Sequence, residues 1–571
     1  MTPVWVLPAG DARALGAALG VGPLAARVLL HRGLADPAAA RRFLDPSLGQ
    51  LHDPKLMRGM EDAVDRLARA IRLREKILLY GDYDVDGTTS VVLLTKVIEM
   101  AGGVVEYHVP HRLKDGYGMR AEVVEAAAAA GVRLIVSVDT GIRAAEVVRR
   151  AAGLSIDVIV TDHHLPEAEL PPAVAVLNPN RPDCAYPDKN LCGAGVAFKL
   201  AQALLATLPW PEEKRRRVAE SLLKLVAIAT VADVVPLTGE NRAIVKHGLA
   251  GLDDVRNPGL RALLEVAGFA RGKAPSARQV AFQIAPRLNA AGRMDSARDA
   301  VELFLTGDAA RAAELARGLH DRNTDRRQVE DEVREICERV RVGDAEAALV
   351  YYDETWHRGV IGIVASRLVE RFHRPVFVLG RNSEDGLAQG SGRSIPAFHL
   401  LEALESMADL FVRFGGHEHA AGVTLEAARV DEFRSRLNAR AAACLRPEDF
   451  VPRLEIDALA SPGELTEPNV ADVFALAPFG HGNPPPLFAT LGVEVTGAAP
   501  LGKDGKHLKV TVRGDGGVLQ LKAWNFARRA AELPPGARAD AAFTLEEDSY
   551  SAARGYPGWA AVLRDVRPAV G

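Results

Sequence analysis

Three aspartates, Asp82, Asp84 and Asp86, alternate within the stretch ILLYGDYDVDGTTS, residues 77–90. Like charges this close repel and raise one another's pKa unless a cation neutralises them, so a hard divalent ion is the economical partner. For the triplet alone the competing reading is a solvated acidic turn or a helix N-terminus, where aspartate caps exposed N–H groups. Further candidates follow downstream: Asp139 in VDTG, His163 and His164 in TDHH, and Asp233 in ADVVPL. Carboxylates mixed with one or two imidazoles suit Mn2+, or Mg2+ with retained waters, better than structural zinc, which prefers a closed thiolate or imidazole shell. The chemistry open to such a set is two-metal hydrolysis. Taken singly, Asp139 could cap a helix, His163 could be a hydrogen-bonded loop histidine and Asp233 could close a helix end.

These residues need a common edge on which to meet. Apolar runs at 77–81, 104–109, 133–138 and 157–161 read as strands, with helical patterns near 88–101, 120–130 and 143–152 between them. That alternation predicts a parallel α/β sheet, and in such sheets ligands gather beyond the carboxyl ends of the strands. The triplet, Asp139 and the histidine pair all fall at predicted strand exits. Asp233 instead falls near the end of a helix over 215–230 that Pro236 stops.

The rest of the chain divides by pattern. Residues 1–50 read as a helical cap without visible chemistry, and Met60 to Arg74 as an amphipathic helix leading into the first strand. A polar helix over 308–341 has a narrow apolar stripe of Val329, Val333, Ile336 and Val340. It suits a connector between domains, with a short coiled-coil contact as the alternative. A second α/β region over 346–445 has strands near 347–352 and 375–379 and helices near 360–371, 397–408 and 429–445. From about 450 the pattern becomes short strands at 487–496, 507–513, 517–524, 539–546 and 559–565, as in a small β-barrel. From Lys503 to Arg538 there are eight Lys or Arg against three Asp or Glu, with Trp524 and Phe526 among them. Single-stranded nucleic acid wants such a face, because phosphates need cations and bases need stacking platforms; solvated loops are the alternative.

Composition bounds the function. With 571 residues, 48% hydrophobic and 25% charged, the chain is a folded protein of several domains rather than a disordered or fibrous one. The net charge of −4 makes no case for a nucleic-acid partner, yet a carboxylate-rich metal site can mask a basic groove in the total. Cys184, Cys192, Cys337 and Cys444 form no CxxC spacing, which argues against a zinc knuckle or disulfide scaffold and for a reducing compartment. The N-terminus lacks a basic n-region and is broken at Pro8 and Asp11, and VVLLTKVIEM is interrupted by Lys96 and Glu99. Neither a signal peptide nor a membrane span is expected, and the expected location is the cytoplasm.

In their order, GDYDVDG, VDTG, TDHH and ADVVPL resemble the four motifs of the DHH phosphoesterase family. PRLNAAGRM, GSGRSIPAFHL and FGGHEHAAG resemble the extended signature of the RecJ single-stranded-DNA exonucleases, and PFGHGNPPP with the barrel is similar to their OB-fold segment. The resemblance covers nearly the whole chain. The expected fold is a parallel-sheet DHH domain joined by a long helix to a smaller α/β DHHA1 domain, followed by an OB-fold barrel. The expected boundaries are a cap at 1–50, the DHH domain at 51–307, the connecting helix at 308–342, the DHHA1 domain at 343–447 and the barrel at 448–571.

The resemblance implies a 5′→3′ exonuclease that hydrolyses single-stranded DNA with two Mn2+ or Mg2+ ions, in DNA repair and recombination. One ion would take Asp82, Asp84 and Asp139, and the other Asp86, Asp139, His163 and Asp233. His164 would orient a ligand or touch a phosphate oxygen, and His417 would reach the scissile phosphate from the second domain. Arg112, Arg287, Asn289, Ser391, Arg393, Ser394 and Trp524 match positions along the DNA track. Of these, Arg112, Arg287, Ser391 and Arg393 are expected to hold the 5′ phosphate, since the guanidinium fork suits phosphate. The implied partners are single-stranded DNA with a 5′ end, a single-strand-binding protein and a helicase, with the enzyme a monomer and no membrane involved. The chain stops soon after the barrel, so contacts that some relatives make through a further C-terminal domain are expected to be absent. Rival readings are another DHH activity, such as a pyrophosphatase, an oligoribonuclease or a cyclic-dinucleotide phosphodiesterase, and an inactive DNA-binding scaffold.

Overall fold

The triplet is carried by a five-stranded parallel sheet. In the computed structural model, which describes residues 3–569 apart from 113–114, 295, 341, 344–345, 382–385 and 503–504, its strands are β1 (Lys76–Tyr80), β2 (Val104–His108), β3 (Val132–Val138), β4 (Asp157–Thr161) and β5 (Ala175–Leu177). They lie in the order β2-β1-β3-β4-β5 with every pairing parallel. β5, three residues long, is too short to leave a periodic signal in the sequence. β1 reads as an unbroken apolar run because both faces are covered: Ile77 and Leu79 enter one core, Leu78 and Tyr80 another. The chain leaves β1 for β2 on one side and returns to β3 on the other. A crevice therefore opens between the carboxyl ends of β1 and β3, where Asp82 and Asp139 emerge.

Helix α1 (Val85–Met100) is buried on all sides over Val85–Thr95 and emerges at Glu99 and Met100, packed between the sheet and helices α2 (Gly193–Thr207) and α3 (Glu212–Ala232). It starts earlier than the apolar pattern indicated, so Asp86 lies within its first turn and Asp84 is its N-cap. Helix α4 (Gly239–Ala250) packs on α3, and α5 (Ala285–Met294) reaches the start of α1 through Asn289.

Helix α6 (Ala309–Arg339) runs from one core to the next: Leu315 and Leu319 enter the first, Val333 and Cys337 the second. The packed stripe differs from the expected one. Ile336 and Val340 are exposed, and Asn323, Arg326 and Glu330 are buried on the packed side instead. Arg326 and Glu330 pair at 2.6 Å, one helical turn apart, which is how charged residues occupy a packed face.

The second α/β unit adds three strands that the sequence did not announce, Leu387–Arg393, Arg413–Gly416 and Ala420–Glu426, to Leu349–Asp353 and Val376–Arg381. Beyond it, Leu487–Leu501, His507–Gly514, Gly517–Ala523, Trp559–Pro568 and Arg538–Glu547 close into a barrel, the last pairing back on the first. The N-terminal residues are more than a helical cap. Val4–Val6 is a strand paired with Arg453–Glu455, and Leu24, Val28 and Leu29 share one core with the barrel's Phe488, Val510 and Phe543. No single helix among the described residues is long and apolar enough to cross a membrane.

Candidate metal centre

Asp82 follows β1 and is almost wholly buried, with its Oδ1 lacking any hydrogen-bond partner among the described residues. Asp84 accepts from the N–H groups of Asp86 and Gly87 at 2.9 and 3.0 Å, so it does cap a helix, through its Oδ1 alone. Asp86 points the other way, to the N-terminus of α2, where Gly193 and Ala194 donate to its two oxygens at 2.6 and 2.8 Å. Asp139, at the end of β3, is buried in the left-handed region at φ 58°, with its Oδ1 also unpartnered. Such backbone strain at a non-glycine persists where surrounding structure holds it, as at ligand-binding sites.

His163 Nε2 is likewise buried without a hydrogen-bond partner among the described residues, 3.2 Å from Asp139 Oδ1, 3.7 Å from Asp233 Oδ2 and 3.8 Å from Asp86 Oδ2. Asp82, Asp84 and Asp139 each offer one ligand atom within 4.8 Å of the others, as do Asp86, His163 and Asp233, and Asp139, His163 and His164. All seven carboxylate and histidine candidates of the first half of the chain thus converge on the β1–β3 crevice.

The electrostatics suit the binding of a divalent cation. Burial, then the neighbouring carboxylates, pushes Asp82 and Asp139 well above the usual range; burial, then Asp84, raises Asp86. Burial followed by Asp86 and Asp84 takes Asp233 up to about 9. Burial lowers His163, leaving it neutral and able to act as a ligand. Three buried atoms that nothing among the described residues satisfies, on donors of hard or borderline character, are what divalent ions would complete.

Asp162, which the spacing argument passed over, organises the histidine pair. Fully buried, it accepts from the N–H groups of His163 and His164 at 2.7 and 3.1 Å, from Ile142 at 3.0 Å, and meets His164 Nδ1 at 2.8 Å. Burial raises it, but the His164 hydrogen bond and charge and these N–H groups outweigh that and hold it low. For His164 burial works downward, and Asp162 outweighs it to raise the imidazole. Tyr117 Oη lies 3.2 Å from the same Nδ1.

The chain matches the DHH family, N-terminal domain, over residues 76–230, the DHHA1 domain over 345–443 and the RecJ OB domain over 456–556. It is 42% identical to the single-stranded-DNA-specific exonuclease RecJ of Dickeya dadantii, covering 84% of this chain and 86% of that protein. The chain belongs to the RecJ family. To the protein of the same description in Bacillus subtilis it is 40% identical over 91% of this chain, a match that spans 65% of that relative's length. The crystal structure of RecJ with Mn2+ from Thermus thermophilus superposes with a TM-score of 0.83 at 34% identity, covering all of this chain and 80% of that one. The same protein with Mg2+ gives 0.78 at 33%, covering 100% and 78%.

On this RecJ scaffold a group of guanidiniums lies beside the carboxylates. Arg112 stacks over Tyr83, 4.9 Å from the ring centre, and its charge reaches Asp82. Arg293 is pushed down to about 10 by burial and then by Arg112 and Arg326, with Asp84 and Arg393 also within its field. Burial and Arg112 lower Arg393, whose guanidinium donates to Ser391 Oγ at 3.0 Å. Among the described ion pairs Arg112, Arg293 and Arg393 have no carboxylate partner, so the group is set to receive an anion.

Arg287 is not brought into this group. It donates to His320 on α6 at 3.2 Å and to the Gln283 carbonyl. The reason is helical geometry: on α5 Arg293 lies about 40° round from Asn289, whereas Arg287 lies about 200° away. Asn289 accepts from Val85 N–H at 3.2 Å, so that face meets the triplet and the other meets α6. Arg293 could have been found in PRLNAAGRM by this one-turn spacing.

The remaining expected residues lie further out. Ser394 is tied to Phe398 O at 2.7 Å inside its own turn. His417 is exposed in the turn between two strands; burial, then His419 and Arg393, lowers it, and no contact with the carboxylates is seen among the described residues. Trp524 is 45% exposed and meets His507 edge-on. The basic barrel face is less free than its count suggested. Lys522 pairs with Asp548, Arg529 with Asp565 and Glu532, and Phe526 packs on the barrel core; Lys503 lies outside the described residues.

Proposed function

We propose that this protein is a 5′→3′ exonuclease that degrades single-stranded DNA by two-metal-ion phosphodiester hydrolysis, serving DNA repair and recombination. The observation that carries the reading is the set of three buried ligand atoms, Asp82 Oδ1, Asp139 Oδ1 and His163 Nε2, unpartnered among the described residues and lying beside guanidiniums that have no carboxylate partner there. Asp82, Asp84 and Asp139 would hold one ion, and Asp86, Asp139, His163 and Asp233 the other, with Asp139 shared. Mn2+ or Mg2+ there would supply Lewis acidity at a phosphate oxygen and lower the pKa of a water for in-line attack.

The chain's own residues do the rest. Gly193 and Ala194 hold Asp86 still, and Asp162 fixes the orientation of His164, whose second ring nitrogen is left for a ligand or phosphate. Arg112, Arg293 and Arg393 with Ser391 receive the 5′ phosphate, which sets direction, and His417, next in line through the field of Arg393, meets the strand at the scissile bond. Trp524 offers a stacking face to incoming bases. A single-strand-binding protein and a helicase are natural partners, because duplex must be opened before a strand can thread to a buried site. A monomer suffices, since one chain supplies every residue invoked. Four free cysteines suit a reducing, cytoplasmic setting.

The test compares Mn2+-dependent turnover of long single strands, duplex and dinucleotides, with Asp86→Ala as the control. Wild type should degrade long single strands from the 5′ end, and the variant should lose activity. Faster turnover of dinucleotides, or an active Asp86→Ala, would overturn the reading.

A further inference from the structure

The loop that carries Asp233 is gripped from outside the catalytic core. Asp233 closes α3, Val234 follows in the left-handed region at φ 60°, and Pro236 has no N–H to give. On one side Asn241 of α4 donates to Pro236 O at 3.1 Å. On the other, Leu237 N–H donates at 2.7 Å to the carbonyl of His481, which belongs to the barrel-bearing C-terminal region. Gly480–Asn483 form a closed turn, with Gly480 N–H on Asn483 O at 2.9 Å and the reverse bond at 3.2 Å. The turn lies flat on the loop: a Cβ on Gly482 would stand 2.9 Å from Pro236 Cβ and 3.2 Å from its Cα.

What holds the turn is a polar knot drawn from three parts of the chain. Asn483, fully buried, donates to Leu476 O at 2.9 Å and Pro478 O at 2.8 Å. Arg242 of α4, almost wholly buried, donates to Leu476 O and Ala477 O at 2.8 Å, to Pro478 O at 3.3 Å and to Phe43 O at 2.7 Å. Arg32 donates to Asn483 and to Pro484 O, and pairs with Asp457 at 2.8 Å. A guanidinium satisfied by carbonyls alone ties these backbones rigidly, because all of its acceptors are fixed in direction.

We propose that the Gly480–Asn483 turn, anchored by Arg242 and Asn483, is a positioning element for Asp233. Through it the C-terminal region sets the metal affinity of the group formed by Asp86, His163 and Asp233. The inference rests on the reading of Asp233 as a metal ligand. It makes the barrel region part of the hydrolytic centre's construction, in addition to its contact with nucleic acid.

Mn2+ is titrated calorimetrically into the full chain as wild type, Gly482→Ala, Asp233→Asn and the double variant, with metal-free melting curves and circular dichroism to follow the fold. Gly482→Ala should weaken one class of Mn2+ about tenfold and leave the other unchanged. In the Asp233→Asn background it should add nothing further, the non-additivity expected of residues acting through one another. Weakening of equal size with and without the Asp233 carboxylate would mean general loosening and would overturn the proposal, as would wild-type affinity in a folded Gly482→Ala. If Asp233→Asn binds Mn2+ like wild type, the ligand reading itself fails and takes the inference with it. Should Gly482→Ala not fold, Gly480→Ala is judged by the same outcomes at smaller size, since its Cβ would meet only side-chain atoms of Leu237 and no backbone.

Discussion

Gly193→Ala is the sharpest perturbation of the candidate centre, because it changes no charge and removes no ligand. A Cβ at this position would lie 2.6 Å from Asp139 Cβ, 2.7 Å from its Oδ1 and 2.8 Å from its Cγ. Two carbon atoms rest at ~3.5 Å, so the pair is about 0.9 Å too close. Asp139 cannot retreat: it is buried, its backbone is already in the left-handed region, and its N–H is tied to Thr161 O at 2.9 Å. The alternative is for the first turn of α2 to move, which withdraws the two N–H groups that hold Asp86. Either displacement exceeds the tolerance of a metal–ligand distance, about 0.2 Å, several times over.

Mn2+ affinity should therefore fall roughly 10- to 100-fold, with about 1–3 kcal/mol of destabilisation from overpacking. Titration calorimetry measures the first and the metal-free melting temperature the second. Gly153→Ala, where a Cβ would meet open space, is the control and should bind like wild type. A folded Gly193→Ala that bound two Mn2+ with wild-type affinity would refute the sharing of one centre by Asp86 and Asp139.

The two arginines of α5 should separate cleanly: Arg293→Gln should cut the preference for 5′-phosphorylated over 5′-hydroxyl strands by about tenfold, on ~1.5 kcal/mol for a hydrogen bond to a charged group. Arg287→Gln should instead lower the melting temperature and leave that preference intact; the opposite assignment would restore Arg287 to the phosphate pocket. Asp162→Asn should cost about 1–3 kcal/mol, because an NH2 would face Ile142 N–H. Asp162 is depressed from 3.8 and His164 raised from 6.5, so the pair's stabilisation is present above the first value and below the second. It is lost as pH falls through the folded Asp162 value or rises through that of His164, and the wild-type-to-variant gap in metal-free melting temperature should be widest in between. A gap that does not vary with pH would sink the pairing. Finally, with Asp233 at about 9 and its buried neighbours also raised, Mn2+ binding at neutral pH should release protons and tighten as pH rises. Binding enthalpies that agree in buffers of different ionisation heat would contradict this.

The α/β alternation, the strand exits and the barrel were legible because burial on both faces of a parallel sheet writes itself as apolar runs, and polar candidate ligands end those runs. Residues 387–393 and 413–426 were not legible as strands, since glycines at 390, 392, 415, 416 and 422 erase the β pattern. Their reason is tertiary: a Cβ on Gly392 would meet the Phe377 ring of the next strand at 2.3 Å. Asp162 was passed over because its partners are backbone N–H groups and a neighbouring imidazole, which spacing does not display.

By itself the sequence determined which residues could do the chemistry. Carboxylates alternating beyond a buried strand, with two histidines and a distant aspartate, carry their chemical character wherever they lie. The tertiary structure decided how those residues are held and which neighbours join them. The face of α5 that meets the triplet brought Arg293 beside it and turned Arg287 to His320, the N-terminus of α2 clasped Asp86, and a turn far along the chain came to rest behind Asp233. Composition and periodicity record what a residue is and whether it is buried. Distances and directions arise only when separate segments pack together.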